Sequence, residues 1–354
     1  MTNPLTGSLL GKVALRFDTN SAYVPEDLSC AARGEAGTLV VAADERSSLE
    51  LLAPSANPHV YTQVRSLPLH AALGIGEADE VDLEGLAFDA TCETLFLCGS
   101  HSAKRRKPKG KDEAVDLERL ASVKVEPARF VLARARLGQL GTEGAPKLAK
   151  LPLEGADALC GVLADDAHLG PYLPLSGRAS TPIPGKDNGF DIEGLAVHGE
   201  RLLLGLRGPV LRGYAFVLEL QLAEEGDDLH IVAQGKRRYR KHALDLDGLG
   251  VRELIVRGDD VLVLAGPTMT LDGAHRMYRW HGGPSAKRDT LVKQEKGVLE
   301  PLFDIPFLPS FDRAEGLARH DWFDEDDSLL VLYDAPSPAR RRDEHAVLAD
   351  VFAI

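Results

Sequence analysis

The sequence predicts an all-β chain folded as a β-propeller, and three observations carry that prediction. An acidic motif recurs along the chain, as Asp82-Leu-Glu84-Gly-Leu-Ala, Asp191-Ile-Glu193-Gly-Leu-Ala and Glu315-Gly-Leu-Ala. Each copy is followed by a hydrophobic strand pattern: TLFLCGSHS, LLLGLRGP and SLLVLYDAP. Between these copies, short strand patterns gather in groups of four, separated by Gly, Pro, Asn and Ser, without the βαβ alternation of a doubly wound sheet.

Taken in order, residues 13–17 (VALRF) read as an isolated strand. Asp27-Leu-Ser-Cys-Ala-Ala then matches the motif with Ser29 in the place of Glu, and residues 38–45, 49–52 and 61–69 complete a first unit. The second unit holds Asp82 to Ala87, TLFLCGSHS, RFVLARARL (129–137) and KLAKLPL (147–153). An insertion at 104–123 interrupts it, made of the basic run Lys104 to Lys111 and the helical pattern DEAVDLERLASVK. A Pro- and Gly-containing connector spans 155–188, with a short helix expected at 158–167. The third unit is residues 190–211 with AFVLELQL and LHIVAQ. The fourth has GVRELIV, DVLVLAG, HRMYRW and a strand near 303–308. The fifth has the motif at Glu315, SLLVLYDA and HAVLADVFAI, and is short of one strand. Residues 13–17 supply it, which closes the ring and protects the edges of the first and last sheets. The expectation is thus a single domain over 1–354 with five four-stranded blades; a sixth, degenerate blade has room in the connector.

Composition narrows the function. A net charge of −13 argues against a surface seeking nucleic acid or anionic membrane. No apolar run approaches the length of a membrane span, and the N-terminal stretch has neither a basic segment nor a sustained apolar one, so a cytoplasmic protein is expected. The four cysteines form no CxxC pair and read as reduced, buried thiols.

In a propeller, the start of each inner strand and the end of the next strand lie on one face. The inner-strand starts contribute Asp27, Asp82 with Glu84, Asp191 with Glu193, Arg252, and Glu315. The second-strand ends contribute Asp44 and Glu45, Ser100-His101-Ser102, Arg207, Thr268 and Asp334. Carboxylates around one mouth repel and raise one another's pKa unless something positive joins them. One solution is a hard divalent cation, Ca²⁺ or Mg²⁺, on Asp82, Glu84, Glu193 and Glu315. The other is ion pairing with Arg207, Arg252 and Arg313. The same acids also have a purely structural reading, as turn caps and partners for backbone amides of the next blade. His101, between two serines at a strand end, is a candidate general base or metal ligand, or else a histidine bonding a loop carbonyl.

The run Lys104 to Lys111 is strongly basic and follows His101 directly, so it is a candidate to gather a phosphate or a polyanion; with no apolar residue except Pro108, it also reads as an exposed, mobile loop. It has no interleaved aromatics, so stacking on single-stranded nucleic acid is not expected. No Gly-x-Ser-x-Gly elbow, HExxH or P-loop is present.

The long motifs DLEGLA with LFLCGSHSAKRRK, and DIEGLA with LLLGLRGP, resemble an uncharacterised bacterial family known only as a domain of unknown function. That family is similar to esterase-like, phytase-like propellers, and the resemblance implies the propeller but no established activity. The acidic residue before Gly also resembles the gluconolactonase and regucalcin-like propellers, where such a glutamate binds a divalent metal. Here Leu follows the Gly where those proteins favour Pro.

These readings converge on a metal-dependent hydrolase of an anionic ester, most naturally a phosphoester. Asp82, Glu84, Glu193 and Glu315 would hold the ion, with His101 and Asp191 catalytic. Ser100, Ser102, Lys104, Arg207, Arg252 and Arg313 would receive a small anionic ligand. The alternative is a non-catalytic propeller whose mouth is a platform for a ligand or protein.

Overall fold

Leucine- and valine-rich segments bounded by turn residues pair antiparallel with their neighbours in the chain, and each such group forms one blade of a β-propeller. The computed structural model describes residues 6–18, 24–44, 46–77, 79–136, 146–175, 181–285, 287–322 and 325–354. The inner strands are Leu28–Arg33, Leu83–Asp89, Asp191–His198, Gly250–Arg257 and Arg313–Trp322. Each touches the next, and the last touches the first, so they close a ring around a central channel.

The strand after each inner one shows why the blades stack. In Arg201–Gly208, side chains alternate between faces, and both faces are covered. Leu202, Leu204 and Leu206 pack with Phe96, Phe130 and Leu132 of the second unit. Leu203 points the other way, toward Val251 and Val263 of the fourth. A run of consecutive leucines is what a strand buried on both sides requires.

Closure follows the expected route. Leu9–Arg16 lies antiparallel to Ala346–Ala353, with Val13 opposite Ala349 and Leu15 opposite Val347. It also runs parallel to Val60–Pro68, with Ala14 opposite Val60, so the first and last units share one sheet.

Three details differ from the sequence expectation. LHIVAQ does not complete the third unit; Arg240–Asp245 does, paired with Tyr214–Leu220. Lys241 and His242, on its two faces, are polar in the sequence yet buried, Lys241 against Asp166 and His242 against Glu219. Leu222–Glu225 and Asp228–Ile231 instead form a hairpin on the outer edge of the second sheet, where Leu229 and Ile231 enter the core.

The third strand of the second unit is shorter than RFVLARARL. Pro127–Phe130 makes a 3-10 turn before Leu132–Arg136, and residue 137 lies outside the described residues. Finally, the basic run is exposed over 106–111 but anchored at both ends. Lys104–Arg105 pairs with Val123–Lys124, and Asp116 of helix Glu113–Ala121 accepts from the backbone N–H of Lys109 and Gly110 at 2.7 Å each. The expected helix in the connector is short, Leu159–Leu163. No described helix is long and apolar enough to cross a membrane.

Candidate functional site

The motif acts through a β-bulge. In every inner strand the ladder breaks at the same motif position, skipping Ser29, Glu84, Glu193 and Arg252 singly and Glu315 together with Gly316. A bulge bends the strand and re-aims the extra side chain. The following glycine permits the close approach of neighbouring inner strands, since a Cβ on Gly85 would fall 2.6 Å from Leu195 Cβ. Two units carry another residue there: the first has Cys30, and the fourth has Glu253, buried, with Oε1 accepting from Leu195 N and Leu254 N at 3.0 and 2.9 Å.

One half of the mouth is neutralised by arginine. Glu193, 2% exposed, accepts from Arg207 Nη1 at 2.7 Å and from Arg252 Nη1 at 3.1 Å. Arg252 also bonds Glu315, and Arg207 lies 3.7 Å from Asp191 and donates to Thr268 O at 3.0 Å. Burial works against the charge on Arg207, but Glu193 and Asp191 outweigh it and raise its pKa. Arg313 pairs at the rim with Asp334 at 3.4 Å.

The other half is not neutralised in this way. Carboxylate oxygens of Asp44, Asp82 and Glu84 lie within 4.8 Å of one another. Asp82 alone has a direct cationic partner, Arg129, which Ser100 Oγ and Ser102 Oγ steady at 3.2 Å each. Glu84 is 9% exposed and forms no hydrogen bond or ion pair among the described residues. Burial, then Asp82, Glu193, Asp44 and Asp191, push its pKa well up. Asp44 is pushed to about 8 by burial and by Asp82, and its Oδ1 is buried without a hydrogen-bond partner among the described residues. Asp191 is raised to about 7 by burial, with Arg207 opposing and Glu193 adding.

The predicted residues therefore divide. Asp82 and Glu84 come together, joined by Asp44, whereas Glu193 and Glu315 are bound to arginine. Ser100 and Ser102 serve Arg129 and are buried. Lys104 stands outside the ring, paired with Glu80 at 2.8 Å and Glu126 at 2.9 Å. His101 is 1% exposed, its Nδ1 on Gly99 O at 2.9 Å and its ring edge-on to Phe130. Burial lowers its pKa to about 4, so it is neutral at pH 7.

Sequence reasoning missed Arg129, hidden at the head of an apparent strand, and Lys186, in the connector. Lys186 is exposed, has no ion pair among the described residues, and lowers the pKa of Asp44 through its charge. Glu45 lies outside the described residues. The hairpin end of the channel is different in kind: a cavity of about 1020 Å³ lined by Leu86, Ala87, Leu195, Ala196, Leu254 and Ala318 among others.

With this geometry in hand, comparison places the chain. A family model described as "Protein of unknown function (DUF3616)" matches residues 27–350. The chain belongs to that family. The matched span runs from Asp27, at the first inner strand, to Asp350 in the closing strand, so the family comprises the whole ring of blades and its mouth. No protein in a search of curated sequences matches the chain.

Among solved structures it is similar to hydrazine synthase of Kuenenia stuttgartiensis, with 8% identity, a TM-score of 0.37, and coverage of 90% of this chain and 59% of that one. The chain thus spans under two-thirds of that structure's length. It is also similar to the PQQ-bound aldose sugar dehydrogenase of Streptomyces coelicolor (10% identity, TM-score 0.42, 97% and 98% covered). A third is the WD40 β-propeller domain of Doa1 (10% identity, TM-score 0.33, 100% and 98% covered).

Proposed function

We propose that the mouth is a divalent-cation site formed by Asp44, Asp82 and Glu84 and that it serves the hydrolysis of an anionic ester, a phosphoester being the natural candidate. The observation that carries this is Glu84: a carboxyl nine-tenths buried, without a hydrogen bond or ion pair among the described residues, beside two more acids. Isolated buried carboxylates either hold a proton or meet a cation, and three oxygen donors in one place suit Ca²⁺ or Mg²⁺. The ion would supply charge neutralisation and Lewis acidity.

The chain's own groups supply the rest. Arg313 and Lys186 meet the negative charge of the ester. Asp191, titrating near neutral pH, accepts the proton of the attacking water and returns it to the leaving alkoxide as the ester bond breaks, so that ester and water become acid and alcohol. His101 has no part in this scheme because its ring is buried and neutral.

A non-catalytic binding platform is the second reading. It is favoured by the small free space beside Arg207, Arg252 and Arg313, about 40 Å³, little more than a water's share.

Two measurements separate the readings. Calorimetric titration of the EDTA-treated protein with Ca²⁺ and Mg²⁺ tests the ion site, and release of 4-nitrophenol from its phosphate ester with the ion present tests turnover. Ion binding without turnover of any ester supports the platform, and failure to bind either ion removes the proposal.

A further inference from the structure

We infer that the ligand of this mouth is an organic anion bearing an apolar group, with its head received by Lys186 and Arg313 and its body lying on a hydrophobic lip of Met269, Leu271, Leu308 and Phe311. The inference rests on the anion-binding part of the proposed function. The cleft lined by Lys186, Arg207, Arg252 and Arg313, with Glu315 and Asp334 paired to the last two, is continued by Met269 and Leu271. These two side chains are 44% and 62% exposed. A second loop presents Leu308 and Phe311 at 49% and 40% exposed.

The two loops are tied together. Ser310 N donates to Asp272 Oδ1 at 3.0 Å, and Leu308 and Phe311 are bridged across the turn between them. The loop holding Lys186 joins the same assembly through a bridge between Asp187 and Met269. Large apolar side chains gathered in solvent at a charged rim mark a surface that meets something apolar. The space between the arginines is too small for an anionic head, so the head stays at the rim with Lys186 and Arg313, and a larger ligand extends outward onto the lip. Inorganic phosphate would use the cationic part alone.

Methylphosphonate and phenylphosphonate carry the same dianionic head and differ only in the apolar group. Calorimetry with Mg²⁺ present should find phenylphosphonate about tenfold tighter, the ratio expected when roughly half of a phenyl ring leaves water. Changing Leu271→Ser with Phe311→Ser should erase that preference and leave methylphosphonate binding unchanged. Both side chains are exposed, so the fold should survive, and the melting temperature checks it. Lys186→Gln should weaken both probes alike.

Equal affinities in the wild type, or a preference that survives the double substitution, overturn the lip. Binding of neither probe while Mg²⁺ still binds overturns the anion site and the lip together. Preferential phenylphosphonate binding without any Mg²⁺ binding would leave the lip standing and remove the cation.

Discussion

Glu84 and Glu193 occupy the same bulge of the same motif in adjacent blades, yet their surroundings are opposite. Glu193 is clasped by Arg207 and Arg252, while Glu84 has no direct hydrogen bond or ion pair among the described residues and feels Arg129, Arg207 and Arg252 only through their charge. The motif therefore fixes where a glutamate points, and the neighbouring blades fix whether arginines clasp it. Arg207 comes from the second strand of Glu193's own unit and Arg252 from the bulge of the next. Glu84 gains no equivalent, because the residues in those places are Ser100 at its strand end and Glu193 itself.

The sharpest way to break the contrast is to remove the clasp. Arg252→Met leaves Glu193 short of one partner and Glu315 without this one, and breaking a buried pair from one side costs about 3–5 kcal/mol. Urea denaturation should show that loss, whereas Glu84→Gln should leave the metal-free protein as stable as wild type or more so. A large loss on Glu84→Gln would mean that Glu84 has a structural partner after all.

Adding the ion is the next largest effect. A hundredfold excess over Kd should stabilise the wild type by about 2.7 kcal/mol. Thermal melts in Ca²⁺ or Mg²⁺ should show that gain vanishing in Glu84→Gln and persisting in Glu193→Gln. A gain lost equally in both would merge the two halves into one site.

Acidity sharpens the same point. Burial and Asp82 raise Asp44 from 3.8 to about 8 in the fold. A carboxyl with a raised folded pKa contributes its stability in full below its unfolded pKa and loses it as pH rises through the folded one. Melts in EDTA should thus fall between about pH 5 and pH 8, by up to about 1.4 kcal/mol per pH unit, relative to Asp44→Asn. With the ion bound the dependence should reverse, since the cation needs the deprotonated form. A flat profile in EDTA would place Asp44 in solvent.

The smallest effect belongs to the exposed part of the insertion. Replacing Lys107, Lys109 and Lys111 with Gln should alter stability by no more than about 0.5 kcal/mol, as measured by urea melts.

Much of this was legible from residues alone. The repeat of Glu-Gly-Leu-Ala gives the inner strands, because bulge and glycine are local requirements that recur with each blade. The alignment of Ser29 and Arg252 with the glutamates was equally readable. What escaped is what depends on partners distant in sequence. His101 looked available because it follows a strand, yet Phe130 and Gly99 O enclose it. Arg240–Asp245 was hidden because its buried residues are polar and satisfied by Asp166 and Glu219, so no apolar period marks it. Arg129 belongs to the same class, since only the fold brings it to Asp82.

The strand Leu9–Arg16 gives the folding reaction a definite last step. Its partner, Ala346–Ala353, lies more than 300 residues further along the chain, so their meeting is among the most distant contacts the molecule makes. Contacts of such separation form slowly. During synthesis the growing chain must hold its early blades with that flank unpaired until the final strand has been made. An unpaired sheet edge is a template for a second chain, so the interval before closure is when this protein is most prone to associate with its own copies.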